Sequence, residues 1–101
     1  MKVSEPVVFK NGCPVKAMIV QEKIIILGND RGEVRVIDKA SFKELAQEVF
    51  MDAPILHIES QLYAVLIQYK DPFGSIFIAK VWETVQGAYE IKEVAKIQTM
   101  N

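Results

Sequence analysis

The sequence has few of the residues that build metal and nucleophilic centres. It has one cysteine, one histidine and one tryptophan among 101 residues. The lone Cys13 forms no internal disulfide, and one cysteine with one histidine cannot supply the four ligands of an ordinary zinc site. Cys13 is interpreted as a small residue in the turn at 11–14, because no base lies near it in sequence to activate its thiol. His57 stands between two apolar residues and is expected to be a partly buried structural residue.

Glycine and carboxylate residues also lack the spacing of a catalytic centre. Gly28 and Gly32 flank a hairpin turn and do not open a helix, so they predict no phosphate-binding loop. The acidic residues show no spacing that separates an acid and base pair from a solvated face. The carboxylates considered are Glu44, Glu48, Asp52 and Glu59, four of the 13 acidic residues. We therefore expect a non-enzymatic protein with no cofactor and no metal.

The charge balance and the short apolar runs narrow the choice of partners. Twelve basic and 13 acidic residues give a formal net charge of −1, with no basic run that would neutralise a phosphate backbone. The apolar runs are far shorter than the roughly 20 residues of a membrane span, and Glu5 and Pro6 stand where a signal peptide would be apolar. We expect a single domain over 1–101, in the cytoplasm or the nucleus, that binds neither nucleic acid nor membrane.

Apolar patterning predicts a series of β-strands. Residues 15–20 alternate apolar and polar positions, whereas 24–27 is apolar throughout, which is typical of a central strand covered on both faces. The glycine-rich turn at 28–32 then predicts a hairpin to a strand at 34–37. Similar signals predict further strands at 6–9, 54–58, 62–69, 75–82 and 89–97.

The order of strands and turns repeats along the chain. Pro14 and Pro54 each open a strand and lie 40 positions apart, and Gly32 and Gly74 each end a hairpin turn and lie 42 apart. This spacing predicts repeat 1 at about 14–51 and repeat 2 at about 54–97, preceded by an entering strand at 6–9. A period of about 40 to 45 residues is typical of four-stranded propeller blades.

One stretch resembles a known family. Residues 28–38, GNDRGEVRVID, resemble the Gly-Ser-x-Asp-Gly-x-Val-Arg-Val-Trp-Asp stretch of WD-repeat β-propellers, and residues 81–83, VWE, take the place of Val-Trp-Asp in the second copy. The resemblance implies an all-β fold of two four-stranded antiparallel propeller-like blades. Two blades cannot close a ring that needs four to eight. The chain is therefore expected to assemble with copies of itself, to supply blades to a protein partner's incomplete propeller, or to fold its two sheets onto each other as a sandwich. We favour the first two, a homo-oligomer or a protein partner that completes the propeller.

A rival interpretation places a helix at 42–51. Ser41 and Glu44 form a possible capping box, and the apolar residues that follow fall on one face of an amphipathic helix. These residues are Phe42, Leu45, Ala46, Val49 and Phe50. A helix here would make the chain a small α+β domain, whereas the repeat favours a strand, because the matching segment at 89–97 alternates as a strand.

The functional expectation follows from the incomplete ring. We expect a non-enzymatic protein-interaction or scaffold module, whose contact surface is the rim formed by the two turns that join second and third strands. The alternative is a small-ligand or carbohydrate-binding protein with an aromatic rim of Tyr69, Phe73, Phe77 and Trp82. The candidate partner-binding residues are Asn29, Asp30, Arg31, Lys70, Asp71, Phe73 and Trp82.

Overall fold

Eight β-strands account for most of the described chain. The computed structural model describes residues 14–61 and 64–98, so the predicted entering strand at 6–9 and the turn around Cys13 lie outside the described residues. The strands are β1 (Val15–Val20), β2 (Ile24–Asn29), β3 (Glu33–Asp38), β4 (Glu44–Val49), β5 (Ile55–Ser60), β6 (Val65–Tyr69), β7 (Ser75–Glu83) and β8 (Tyr89–Gln98).

The strands form two four-stranded antiparallel sheets, which confirms the predicted all-β class. We call them sheet A, in the order β1-β2-β3-β4, and sheet B, in the order β5-β6-β7-β8. Each sheet is a meander, because the short turns allow each strand to pair with the next one in sequence. The alternation of β1 is as predicted, and so are the central place of β2 between β1 and β3 and the burial of its residues on both faces.

The helix interpretation of 42–51 is wrong, and the strand interpretation is confirmed. Phe42 has a φ of 60°, which an α-helix does not allow. Ser41 does not begin a helix, because its amide and its hydroxyl both donate to the carboxylate of Asp38, at 2.9 and 2.7 Å. These hydrogen bonds close a turn between β3 and β4. β4 then runs antiparallel to β3 and pairs with it from Glu44 to Val49.

The two sheets share the positions of their irregularities. A bulge interrupts the first strand pair between Val15 and Ala17 in sheet A, and between Ile55 and His57 in sheet B. A second bulge follows Val36 in β3 and Ile78 in β7, at 36/37 and 78/79. The positions differ by 40 and 42, the same intervals that separate the prolines and glycines of the repeat.

The bulge in β5 corrects the prediction for His57. An added residue shifts the alternation, so Ile55 and Ile58 are buried while the two residues between them are exposed. The His57 side chain is 59% exposed, with Nε2 3.5 Å from a carboxylate oxygen of Glu59. His57 is therefore a surface residue and not a partly buried one.

One hydrophobic core lies between the sheets. We call the two faces that meet there the inner faces, and the opposite faces the outer faces. β1 lies against β5 and β4 against β8. The sheets approach each other closely at Gly28, where an added Cβ would lie 2.6 Å from Cδ1 of Ile55. The buried core residues are Ile24, Ile26, Val34, Val36, Ile55, Ile58, Val65, Ile67, Tyr69, Phe77 and Ala79.

Candidate functional site

The two turns predicted as a contact rim lie at the same end of the molecule. Tyr69, the last residue of β6, donates a 2.8 Å hydrogen bond from its hydroxyl to the carbonyl oxygen of Gly32 in the β2–β3 turn. The β6–β7 turn begins at the next residue, Lys70, whose amide donates to the carbonyl oxygen of Pro54 at 2.8 Å. The structure therefore brings the residues at 29–32 and 70–74 to one edge of the two sheets.

Two of the predicted rim residues hold their own turns together. The side-chain oxygen of Asn29 accepts hydrogen bonds of 3.0 Å from the amides of Arg31 and Glu33, and Asn29 is 2% exposed. Asp71 accepts from the amide of Ser75 at 2.7 Å and from its hydroxyl at 2.8 Å. The bond from the Ser75 amide is the largest cause that lowers the pKa of Asp71. Neither side chain is free to contact a partner.

The other rim residues are exposed and mixed in charge. Asp30, Arg31 and Lys70 are exposed at the surface, and Phe73 is 47% exposed. Opposite charges alternate along this edge, so it presents no field of one sign that would select a charged ligand. The rim therefore offers a polar surface with one exposed aromatic ring.

The predicted aromatic rim is not assembled as one patch. Tyr69 and Phe77 are 1% and 3% exposed, and their rings meet edge to face in the core at 5.5 Å. Trp82 lies seven residues beyond the start of β7, which at about 3.3 Å per residue puts it about 23 Å from the turn that carries Phe73. Trp82 pairs with Glu90 on the outer face of sheet B.

The outer face of sheet B carries an apolar surface that the sequence interpretation missed. Residues directly opposite in an antiparallel pair point to the same side, so the register defines the face. Leu66 pairs with Ile78 and Ile78 with Ala95, and the neighbouring row is Gln68, Ile76 and Ile97. Its apolar residues, which we call the apolar patch, are only partly buried or exposed. They are Leu66, Ile76, Ile78, Ala95 and Ile97.

The apolar patch repeats the pattern of the packed inner face of sheet A. In sheet A the matching row is Ile26, Val36 and Ala46, and the next row begins with Gly28 and Val34. Ile26, Val34 and Val36 are each 0% exposed because sheet B covers them. The same pattern on sheet B is left accessible to solvent, which makes it the strongest candidate for a binding surface.

Polar side chains surround the apolar patch. His57 and Glu59 lie on the β5 side, because their partners in the register are Gln68 and Leu66. Lys80 and Lys92 lie opposite each other in the β7–β8 pair. An apolar centre with a polar border is the usual arrangement of a protein interface.

The outer face of sheet A is different because its centre is buried. Leu27 and Ile37 are 1% and 2% exposed there. Beside them the guanidinium of Arg35 donates to Glu33 at 2.6 Å and also to Glu44. Burial lowers the pKa of Arg35, but the hydrogen bonds that it donates to Glu33 and the charges of both carboxylates outweigh this effect and raise the pKa overall. The network explains how a charged residue is accommodated at 5% exposure.

Two shallow concavities complete the described surface. One, of about 490 Å³, lies at the β1–β2 and β3–β4 turns and is lined by Glu22, Lys23, Asp38, Lys39 and Ala40. The other, of about 380 Å³, lies between β4 and β8 and is lined by Ala46, Gln47, Glu48, Tyr89, Glu90 and Ile91. Both are open to solvent, so neither encloses a ligand as a deep pocket would.

Residues 14–61 and 64–98 contain no cluster of three or more histidine, cysteine, aspartate or glutamate side chains placed to hold a metal ion. Nor does this part of the chain contain a helix with the length and apolar character needed to cross a bilayer. No protein-family model and no curated protein matches the sequence.

The sequence did carry a signal for the apolar patch. Val65, Leu66 and Ile67 are consecutive apolar residues in β6, and residues 76–79 are apolar without interruption in β7. Strands with such uninterrupted apolar residues are typically buried, with cover on both faces of the sheet. In the structure the inner face of sheet B has that cover, while the outer face does not.

Proposed function

We propose that the chain is a non-enzymatic protein-interaction module that binds another protein through the apolar patch on sheet B. The observation that carries the proposal is the repeated pattern of the two sheets. The inner face of sheet A is packed against a second sheet, and the matching face of sheet B presents similar apolar residues at its centre, which no sheet covers in the described part of the chain. A β-sheet of a partner protein is the occupant that this face fits.

This arrangement supports the propeller-like interpretation of the two sheets as successive blades. In a propeller each blade packs one face on the next, in the same order around the ring. The partner in this proposal supplies a sheet that covers the outer face of sheet B. The matching positions differ in several places, and one of these differences limits close packing: Gly28, which admits Ile55 at the inner interface, is replaced by Gln68 on sheet B. The partner therefore packs less closely on that part of sheet B.

The environments of the carboxylates support a binding role over a catalytic one. Asp38 and Asp71 accept hydrogen bonds that close turns, and Glu33 and Glu44 are bound to Arg35. These groups serve the fold and have no free acid and base geometry. With no membrane-spanning helix in the described residues, we place the module in the cytoplasm or the nucleus.

A site-specific photocrosslinker at position 78 tests this function. In extracts of the source cells, we expect position 78 to crosslink to one protein that position 18 does not capture; Met18 is 47% exposed on the outer face of sheet A and serves as the control site. The captured protein is then purified and titrated by calorimetry. We expect Ile78→Lys to weaken its binding at least about tenfold and Met18→Lys to leave it unchanged. Equal binding by both variants would reject the proposal.

A further inference from the structure

The two outer faces differ in accessibility, which limits how copies of the chain can associate. In a ring of copies joined head to tail, the outer face of sheet B in each copy packs against the outer face of sheet A in the next copy. The centre of the latter face is already buried, with Leu27 1% and Ile37 2% exposed. Among the described residues, the centre of the outer face of sheet B is therefore the more accessible of the two, because the exposed apolar residues of sheet A lie on its edge strands, as Met18 does on β1. A surface that binds itself gives a closed pair with two-fold symmetry and not a ring.

Charges on the outer face of sheet B are arranged in two separated groups. Lys80 and Lys92 lie directly opposite each other in the β7–β8 pair. In the part of the chain that the structure describes, neither ammonium has a carboxylate within 4.0 Å. Like charges placed directly opposite each other in a sheet are destabilising, so the pair favours an added negative charge. Glu59 lies on the opposite side of the apolar patch, in β5, and is 55% exposed.

A two-fold axis parallel to the strands makes this face complementary to itself. Such an axis puts β8 of one subunit over β5 of the other at the same height. On the outer face of sheet B, Lys92 in β8 lies next to the row that contains Glu59 and Ala95. Because β8 of one subunit lies over β5 of the other, Lys92 comes close to Glu59 of the partner subunit. The symmetry makes this contact occur twice. An axis across the strands instead puts the lysines over the row of His57, Gln68 and Ile97, which has no carboxylate.

We propose that the chain forms a two-fold dimer through the apolar patch, in which Lys92 of each subunit pairs with Glu59 of the partner subunit. This inference rests on the proposed function and names a second copy as the partner. Leu66 and Ile78 lie at the centre of the contact, over β7 and β6 of the other subunit. Four strands about 4.8 Å apart and about 20 Å long give a footprint of about 400 Å² per subunit, which places the dimer among small and reversible interfaces.

Charge reversal with compensation tests the dimer and its axis. Sedimentation equilibrium is measured from about 5 to about 500 µM, where a weak dimer of this size dissociates. We expect a monomer–dimer equilibrium for the natural chain. Lys92→Glu and Glu59→Lys each place like charges together twice, and each should raise the dissociation constant about tenfold. The double variant should return it to within about threefold of the natural value. Circular dichroism checks that each variant is folded.

Matched controls use the adjacent exposed pair in the β1–β2 turn. Glu22→Lys and Lys23→Glu make the same changes of net charge away from the apolar patch, and we expect neither to alter the dissociation constant. A natural chain that stays monomeric throughout, or a double variant no tighter than the single ones, would overturn the dimer. If the chain is monomeric and position 78 captures a different protein, the proposed function stands and this inference fails. If Ile78→Lys weakens neither self-association nor binding to a captured protein, both fail.

Discussion

The hydroxyl of Tyr69 in sheet B donates a hydrogen bond of 2.8 Å to the carbonyl oxygen of Gly32 in sheet A. The same oxygen of Tyr69 lies 3.4 Å from the amide of Phe50, which donates to it. One buried phenol thus links the β2–β3 turn, the end of β4 and the end of β6. Gly32 has a φ of 83° and is buried, so the carbonyl oxygen is fixed where the hydroxyl reaches it.

Tyr69→Phe should lower the free energy of unfolding by about 1 to 2 kcal/mol, because it removes the donor to a buried carbonyl oxygen and keeps the ring in the core. Urea denaturation followed by tryptophan fluorescence measures the change. Tyr89→Phe is the matched control, since Tyr89 is only partly buried and we expect a change below about 0.5 kcal/mol. Equal effects of the two substitutions would show that the hydrogen bond contributes little.

Alkaline pH should remove the contribution of Tyr69 to the free energy of unfolding. Burial is the main cause that raises the pKa of Tyr69 from 10.0 to about 12, against the opposing hydrogen bonds from the amides of Phe50 and Met51. A group whose pKa is higher in the folded state stabilises the fold below its unfolded pKa and loses this effect as the pH rises through the folded value. The stability difference between the natural chain and Tyr69→Phe should therefore shrink between pH 10 and about 12. A constant difference over this interval would contradict the pKa.

Gly28→Ala should destabilise the fold by about 1 to 3 kcal/mol, because the added methyl group would press on Ile55 and separate the sheets. The ideal Cβ lies 2.6 Å from Cδ1 and 2.7 Å from Cγ2 of Ile55. Ile55→Val removes the Cδ1 atom and alone should cost about 1 kcal/mol. The double variant should lose less unfolding free energy than the two single variants lose together. A double-mutant cycle measured by urea denaturation gives the difference. If the two losses of free energy simply add, the added methyl group does not press on Ile55, and the prediction is contradicted.

Arg35→Met should cost about 3 kcal/mol, because it leaves Glu33 and Glu44 close together without their shared cation. The Arg35 side chain is 6% exposed, and those of Glu33 and Glu44 are 14% and 32% exposed. Arg35→Lys keeps the charge but loses the planar donor group, so we expect an intermediate loss. Thermal unfolding ranks the three proteins. The order natural chain, lysine variant, methionine variant is the expected result, and a methionine variant as stable as the natural chain would show that the network does not stabilise the fold.

Sequence patterns predicted the strands well where the evidence was local. Alternation located β1, the unbroken apolar run located β2, and turn residues placed the hairpins around Gly32 and Gly74. Local patterns were ambiguous at 42–51, where the apolar spacing also fits a helix. Pairing with β3 settled that segment, because backbone hydrogen bonds to a neighbouring strand are a tertiary contribution that no local pattern contains.

The predicted rim shows why residue type alone could not define a site. Asn29 and Asp71 are common surface residues in turns, yet the fold turns their side chains inward to hold the backbone. The sequence suggested that Tyr69 and Phe77 belong to an exposed aromatic rim, but the close packing of the sheets buries both side chains. Exposure depends on which face meets the other sheet, and that follows from register and bulges.

The sequence by itself determined seven of the eight strands from 14 onward and the period of about 40 residues, because alternation and turn chemistry act over a few neighbouring positions. The eighth strand, and with it the all-β class, was decided by the pairing of β4 with β3. Only the tertiary structure decided which apolar faces are covered. Strands with consecutive apolar residues, such as β6 and β7, are typically covered on both faces, but within 14–61 and 64–98 a second sheet covers sheet B on one side alone. Burial is a property of two surfaces in contact, so the apolar patch of sheet B could be recognised only once sheet A had been placed against the other side.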